Sequence, residues 1–132
     1  MSDPAEIKVV VGEWLEKADG DLAAAETLLQ ASMPTWLPGF HAQQCVEKCL
    51  KALLVSLNIS FPKSHDIRSI AGLLPADLGL SIDRRLAAEL TESAVTARYP
   101  GEEAPSVEVA QELVREARRV RDWVRARVAQ AP

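Results

Sequence analysis

Aromatic residues are scarce in this chain: two Phe, three Trp and one Tyr make up 5% of its 132 residues. Strands collect aromatic and β-branched side chains, so a sequence that draws on Ala, Leu and Val instead reads as helical. Cysteine is scarcer still. Cys45 and Cys49 stand four apart, where helical side chains share a face but seldom meet disulfide geometry, and they read as small buried hydrophobes. A metal would need two further ligands nearby, and only His41 is close in sequence, so neither metal nor cofactor is expected. Positive charge is also short. Fifteen basic against nineteen acidic residues leave a net charge of −4, which excludes a uniformly basic nucleic-acid coat but leaves a local patch open.

No apolar run approaches the ~20 residues of a membrane span, and Met1 to Lys8 lacks the basic start and apolar stretch of a signal peptide. A cytoplasmic location without membrane contact is therefore expected. There is no Gly-rich phosphate loop, paired CxxC or HExxH, and His41 and His65 stand in no recognisable nucleophile arrangement. What remains is a single soluble domain over residues 1–132, its core running from about residue 10 to 129. A chain of this size buries roughly two thirds of its unfolded surface and needs no disulfide.

The hydrophobic spacing predicts an all-α, up-and-down four-helix bundle with one additional short helix. Val11, Leu15, Ala18, Leu22, Ala25 and Leu29 keep one apolar seam for about five turns. Glu13, Glu16, Lys17 and Asp21 fall on the wet side. Pro34 and Pro38 then break the pattern, and a second helix is expected from about Phe40 to Leu57. Ser64 is the expected N-cap of the short helix and Ser81 that of the fourth, which Pro100-Gly101 ends. The last helix starts near Ser106, with Glu108, Glu112 and Glu116 early and an arginine run from Arg115 to Arg127 late, the order that complements the helix dipole.

Three polar clusters could carry chemistry. On the second helix, at ~100° per residue, His41, Gln44, Lys48 and Lys51 fall within about 80° of one another. Such a row of donors suits a phosphate, and a solvated surface explains it as well. Lys63 and His65 flank the start of the short helix, where unpaired backbone N–H groups favour an anion, although Ser64 and Asp66 are also ordinary capping residues. At the end of the fourth helix Arg98 could grip a phosphate and Tyr99 stack on a base, while a basic last turn before Pro-Gly is equally a helix stop. The late arginines could meet RNA, but they are spread around their helix without interleaved aromatics, as on a solvated helix end.

The run from Gly39 to Leu54, GFHAQQCVEKCLKALL, resembles the HEPN family, the higher eukaryotes and prokaryotes nucleotide-binding domain, whose members usually carry Ala where Cys45 and Cys49 stand. Phe61-Pro62-Lys63-Ser64-His65-Asp66 is similar to the family's (T/S)HD segment, and Ala97-Arg98-Tyr99-Pro100 to its ARYP. The opening from Trp14 to Leu22 fits too. The resemblance implies a helical bundle that commonly forms homodimers, and small prokaryotic members often partner a minimal nucleotidyltransferase in a two-gene, toxin-antitoxin-like module. Many HEPN ribonucleases carry an Arg followed four to six residues later by His. Here the first arginine, Arg68, lies after both histidines, so that motif is absent, and with it the position of the tyrosine that the partner modifies.

The expectation is thus a non-catalytic accessory subunit that binds a nucleotide or phosphate-bearing ligand through Gln44, Lys48, Lys51, Lys63, His65, Arg98 and Tyr99. Two rivals stand beside it: a divergent metal-independent ribonuclease in which an Arg meets His65 or His41 across a dimer, and a dimeric protein-interaction bundle.

Overall fold

The Asp3 carboxylate accepts a hydrogen bond from the Ala5 amide, and Pro4 sits at the first helical position, where its missing N–H costs nothing. In the computed structural model, which describes residues 3–130, this start opens α1 over Pro4–Gln30. It is followed by α2 (Trp36–Ser56), α3 (Ile67–Ala71), α4 (Arg84–Thr96) and α5 (Val107–Ala129), with no strand among the described residues. The helix α2 packs against all four others and is the axis of the bundle. Thirteen of its 21 residues are buried, so even polar side chains on this helix are drawn inside.

The core is aliphatic, with Leu50, Leu53 and Leu54 of α2 packed among Leu15, Leu22, Ile67, Ile70, Leu90, Leu113 and Val120. Cys45 and Cys49 are fully buried and unbridged. The Cys45 thiol is pushed up by its hydrogen bond with Cys49 and by burial, and remains protonated.

Helix starts depart from the sequence reading in three places. Pro38 lies inside α2, which begins at Trp36, because a proline in the first turn loses no intrahelical bond. The α3 cap is Asp66, which accepts from the Ser69 amide; Ser64 instead takes the Asp66 amide one step earlier. Asp83 caps α4 in place of Ser81. Ser106 caps α5 as expected. The N-terminal end of α2 is seated close to α4, where a Cβ on Gly39 would come within 3.1 Å of the Ser93 hydroxyl. Thr35 donates to the Pro105 carbonyl at 2.6 Å and ties the loop before α5 to the same end. No described helix is long and apolar enough to cross a membrane.

Candidate functional site

Because α2 is surrounded, the carboxylate of Glu47 has few places to go, and it is only 4% exposed. It is held by three donors: Gln43 Nε2 at 3.0 Å, Lys51 Nζ at 3.0 Å and His65 Nδ1 at 2.9 Å. Gln43, Glu47 and Lys51 are successive turns of one face, and Glu before Lys at this spacing is the favoured order. Gln43 also donates to the His65 carbonyl at 2.9 Å, and Lys51 to the Ser64 carbonyl at 3.1 Å. Lys51 further lies 5.7 and 5.6 Å from the Trp14 and Phe61 ring centres.

The outcome is a histidine fixed from beneath. The His65 side chain is 54% exposed, with Nδ1 on the carboxylate and Nε2 left for whatever approaches from solvent. Burial pushes the Glu47 carboxyl up, but hydrogen bonds from His65, Lys51 and Gln43 together outweigh it and hold it below the ordinary range.

A second carboxylate repeats the pattern between α1 and α2. Asp21 on α1 receives His41 Nδ1 at 2.9 Å on one oxygen and Lys48 Nζ at 2.5 Å on the other. Asp21 is therefore not on the wet side; it ties α1 to α2. Both lysines of the α2 stripe, Lys48 and Lys51, are thus already paired with protein carboxylates.

Of the residues singled out from sequence, Gln44, Lys51 and His65 form one hydrogen-bonded group, since Gln44 donates to the Gln43 side chain at 2.7 Å. Lys48 is held separately, with His41 on Asp21, and Lys63 is exposed two residues before His65 in the chain. Arg98 and Tyr99 stand apart. They line a hollow of about 290 Å3 together with Trp36, at the opposite end of α2 from Lys51. Eleven residues separate Trp36 from Glu47, roughly 16 Å along the helix. Tyr99 is 60% and Trp36 37% exposed, and no ion pair among the described residues includes Arg98. Here a guanidinium in no ion pair shares a hollow with two partly exposed aromatic residues and with Glu102. Sequence reasoning missed Gln43, Glu47, Asp21 and Trp36. The i, i+4, i+8 spacing of Gln43, Glu47 and Lys51 was the available signal for the first two.

The late arginines of α5 are mostly spent. Arg118 grips Glu26 with two bonds of 2.7 Å, Arg121 and Arg125 converge on Asp19, and Arg119 takes Glu116 and the Ser81 carbonyl. These partners raise the affinity of Arg118, Arg119 and Arg121 for their protons and hold Asp19 and Glu26 below the usual carboxyl range. Arg115 and Arg127 take no part in these pairs.

Residues 11–127 match the family model of the HEPN domain. No curated protein matches the chain. Among solved structures, the crystal structure of TT1696 from Thermus thermophilus is similar at 25% identity, covering 88% of this chain and 96% of that one, with a TM-score of 0.73. The crystal structure of ST0689, an archaeal HEPN homologue, is similar at 30% identity, covering 89% and 97%, with a TM-score of 0.67.

Proposed function

The chain belongs to the HEPN domain family, and on that premise we propose that it is a non-catalytic subunit that holds a phosphate-bearing nucleotide and serves a minimal nucleotidyltransferase. The observation that carries the nucleotide reading is the hollow at Trp36, Arg98 and Tyr99. A base stacks on an aromatic face, and a guanidinium without a partner takes phosphate bidentately. Lys63 and His65 Nε2 offer a second, weaker contact to an anion. Lys48, Lys51 and Gln44 act beneath that surface as its support, since their charge and donors are already engaged. The accessory role is supported by the missing Arg-to-His motif, and the subunit would work as a homodimer in a two-gene module.

Calorimetric titration with ATP and GTP tests the reading. A charge-assisted contact contributes about 1.5–3 kcal/mol, so Arg98→Ala should weaken binding by roughly 10- to 100-fold. Lys48→Ala should leave affinity within about twofold while lowering stability, because it strands Asp21. Absence of heat with either nucleotide in the folded wild type would sink the proposal. Co-purification of a nucleotidyltransferase encoded next to the gene tests the partner.

The second reading, a divergent ribonuclease, is favoured by one observation: a buried carboxylate orienting a half-exposed imidazole is an arrangement for proton transfer. RNA cleavage by purified protein, lost in His65→Ala, would establish it over the first.

A further inference from the structure

The imidazole of His65 is held from beneath and open above. Gln43 donates to its backbone carbonyl at 2.9 Å, Lys51 to the Ser64 carbonyl just before it at 3.1 Å, and Glu47 takes the ring Nδ1 at 2.9 Å. A carboxylate only accepts, so Nδ1 carries the proton and the neutral ring keeps its lone pair on Nε2. That nitrogen lies across the ring from the bond to Glu47, on a side chain 54% exposed above a carboxylate 5% exposed. His41 makes the same kind of bond to Asp21, but its side chain is 28% exposed and its ring packs edge-on against Phe40. Of the two carboxylate–histidine pairs, only that of His65 presents its free nitrogen on an open surface.

Acid–base chemistry acts on a substrate held beside the imidazole, whereas a group acceptor needs only a rigid lone pair that an incoming donor can reach. His65 has the features of the acceptor: its backbone is pinned to α2, its ring is fixed, and the hollow of Arg98 and Tyr99 does not include it. We propose that His65 is a phosphoryl acceptor, modified at Nε2 by a donor of the phosphoric-anhydride or phosphoramidate class. The Nε2 lone pair attacks phosphorus, the bond from phosphorus to the leaving group breaks, and the leaving group departs with that electron pair. The proton on Nδ1 stays in place, and the positive charge the ring then carries is balanced by the Glu47 carboxylate. Glu47 is thus a positioning residue, which selects the tautomer, fixes the ring and offsets the charge of the product. The proposal does not depend on a nucleotide at Arg98, and it uses as nucleophile the ring that the ribonuclease reading uses for proton transfer.

Phosphoramidate, which gives its phosphoryl group to histidine and releases ammonia, is the probe. Mass spectrometry of peptides kept at alkaline pH locates the label, because phosphohistidine is lost in acid, and phosphorus NMR tells Nε2 from Nδ1. In the folded wild type the label should sit on Nε2 of His65. It should form there about tenfold faster than on His41, or than on His65 of the same chain unfolded in urea, the gain expected from a carboxylate behind a reacting imidazole. Glu47→Gln, with its fold checked by circular dichroism, should slow His65 by the same factor of about ten and leave His41 unchanged. A merely structural loss would instead move both histidines together. Label on Nδ1, a His65 rate no higher than in the unfolded chain, or an unchanged His65 rate in folded Glu47→Gln would each overturn the proposal. The wild-type comparison of folded with unfolded chain decides the matter even if the Glu47 variant fails to fold.

Discussion

Replacing Glu47 by alanine removes one acceptor and leaves three donors behind. The costly one is Lys51, whose ammonium stays in place at 6% exposure. Breaking a buried pair by deleting one partner costs about 3–5 kcal/mol. Lys51 keeps the Ser64 carbonyl and the Trp14 and Phe61 rings, which places the expected loss near the lower end, about 3 kcal/mol. A chain of this length has a total stability of about 7–20 kcal/mol, so the variant should still fold. Its melting temperature should fall by roughly 10–15 °C. Urea titration followed by circular dichroism at pH 7 measures the loss directly. The buried pair has a second, less intuitive consequence. Exchanging both members for apolar residues, Glu47→Leu with Lys51→Met, removes the stranded charge, and such exchanges are often neutral. The double variant should therefore be more stable than Glu47→Ala alone. A single-variant loss below about 1 kcal/mol, or a double variant less stable than the single, would refute the account of Glu47 as a buried counter-ion.

Acid should destabilise the protein in a defined window. Asp19, Glu26 and Glu47 hold their protons less tightly when folded than at the ordinary 3.8 and 4.5, so their contribution is complete above those values and is lost as pH falls through the lower folded ones. Urea midpoints from pH 7 to pH 3 should drop below about pH 4.5, less steeply in Glu47→Gln, and a flat profile would contradict this. The two cysteines should react with a thiol reagent only as fast as the protein unfolds, since both are buried and Cys45 stays protonated. Cys49→Ala should cost about 1 kcal/mol in urea titration, the loss of one buried atom from a packed interior.

Much of the fold was legible because it depends on local pattern. The α1 seam from Val11 to Leu29 needs only a periodicity of 3.6, and Ser106 is a cap read from its neighbours. The caps Asp66 and Asp83 differ from the expected Ser64 and Ser81 because neighbouring residues compete for one capping role and sequence does not say which wins, and α2 starts at Trp36 because Pro38 is tolerated in a first turn. The family is legible in the motifs of α2, of Ser64-His65-Asp66 and of Ala97-Arg98-Tyr99-Pro100, and the family model matches over residues 11–127. The condition of the polar stripe did not show, for a reason of distance: Lys48 is neutralised by Asp21, 27 positions earlier, and His65 is oriented by Glu47, 18 positions earlier. Spacing along α2 places the lysines on one face but is silent about what faces them from α1 and the α2–α3 connection. Arg98 reads as unpaired only once the ion pairs of the other arginines have been assigned.

The bonds from Gln43, Glu47 and Lys51 to Ser64 and His65 also set how the connection between α2 and α3 can open. Loops ordinarily breathe on their own, at little cost. Here, lifting the stretch around Ser64 and His65 away from α2 uncovers a carboxylate and an ammonium at the bundle's axis, so fraying that starts at Asn58 meets a barrier just before α3. Amide exchange in this connection should then follow the slow regime of α2 rather than that of a surface turn, and the same latch would keep His65 at one height above the helix while the rest of the surface moves.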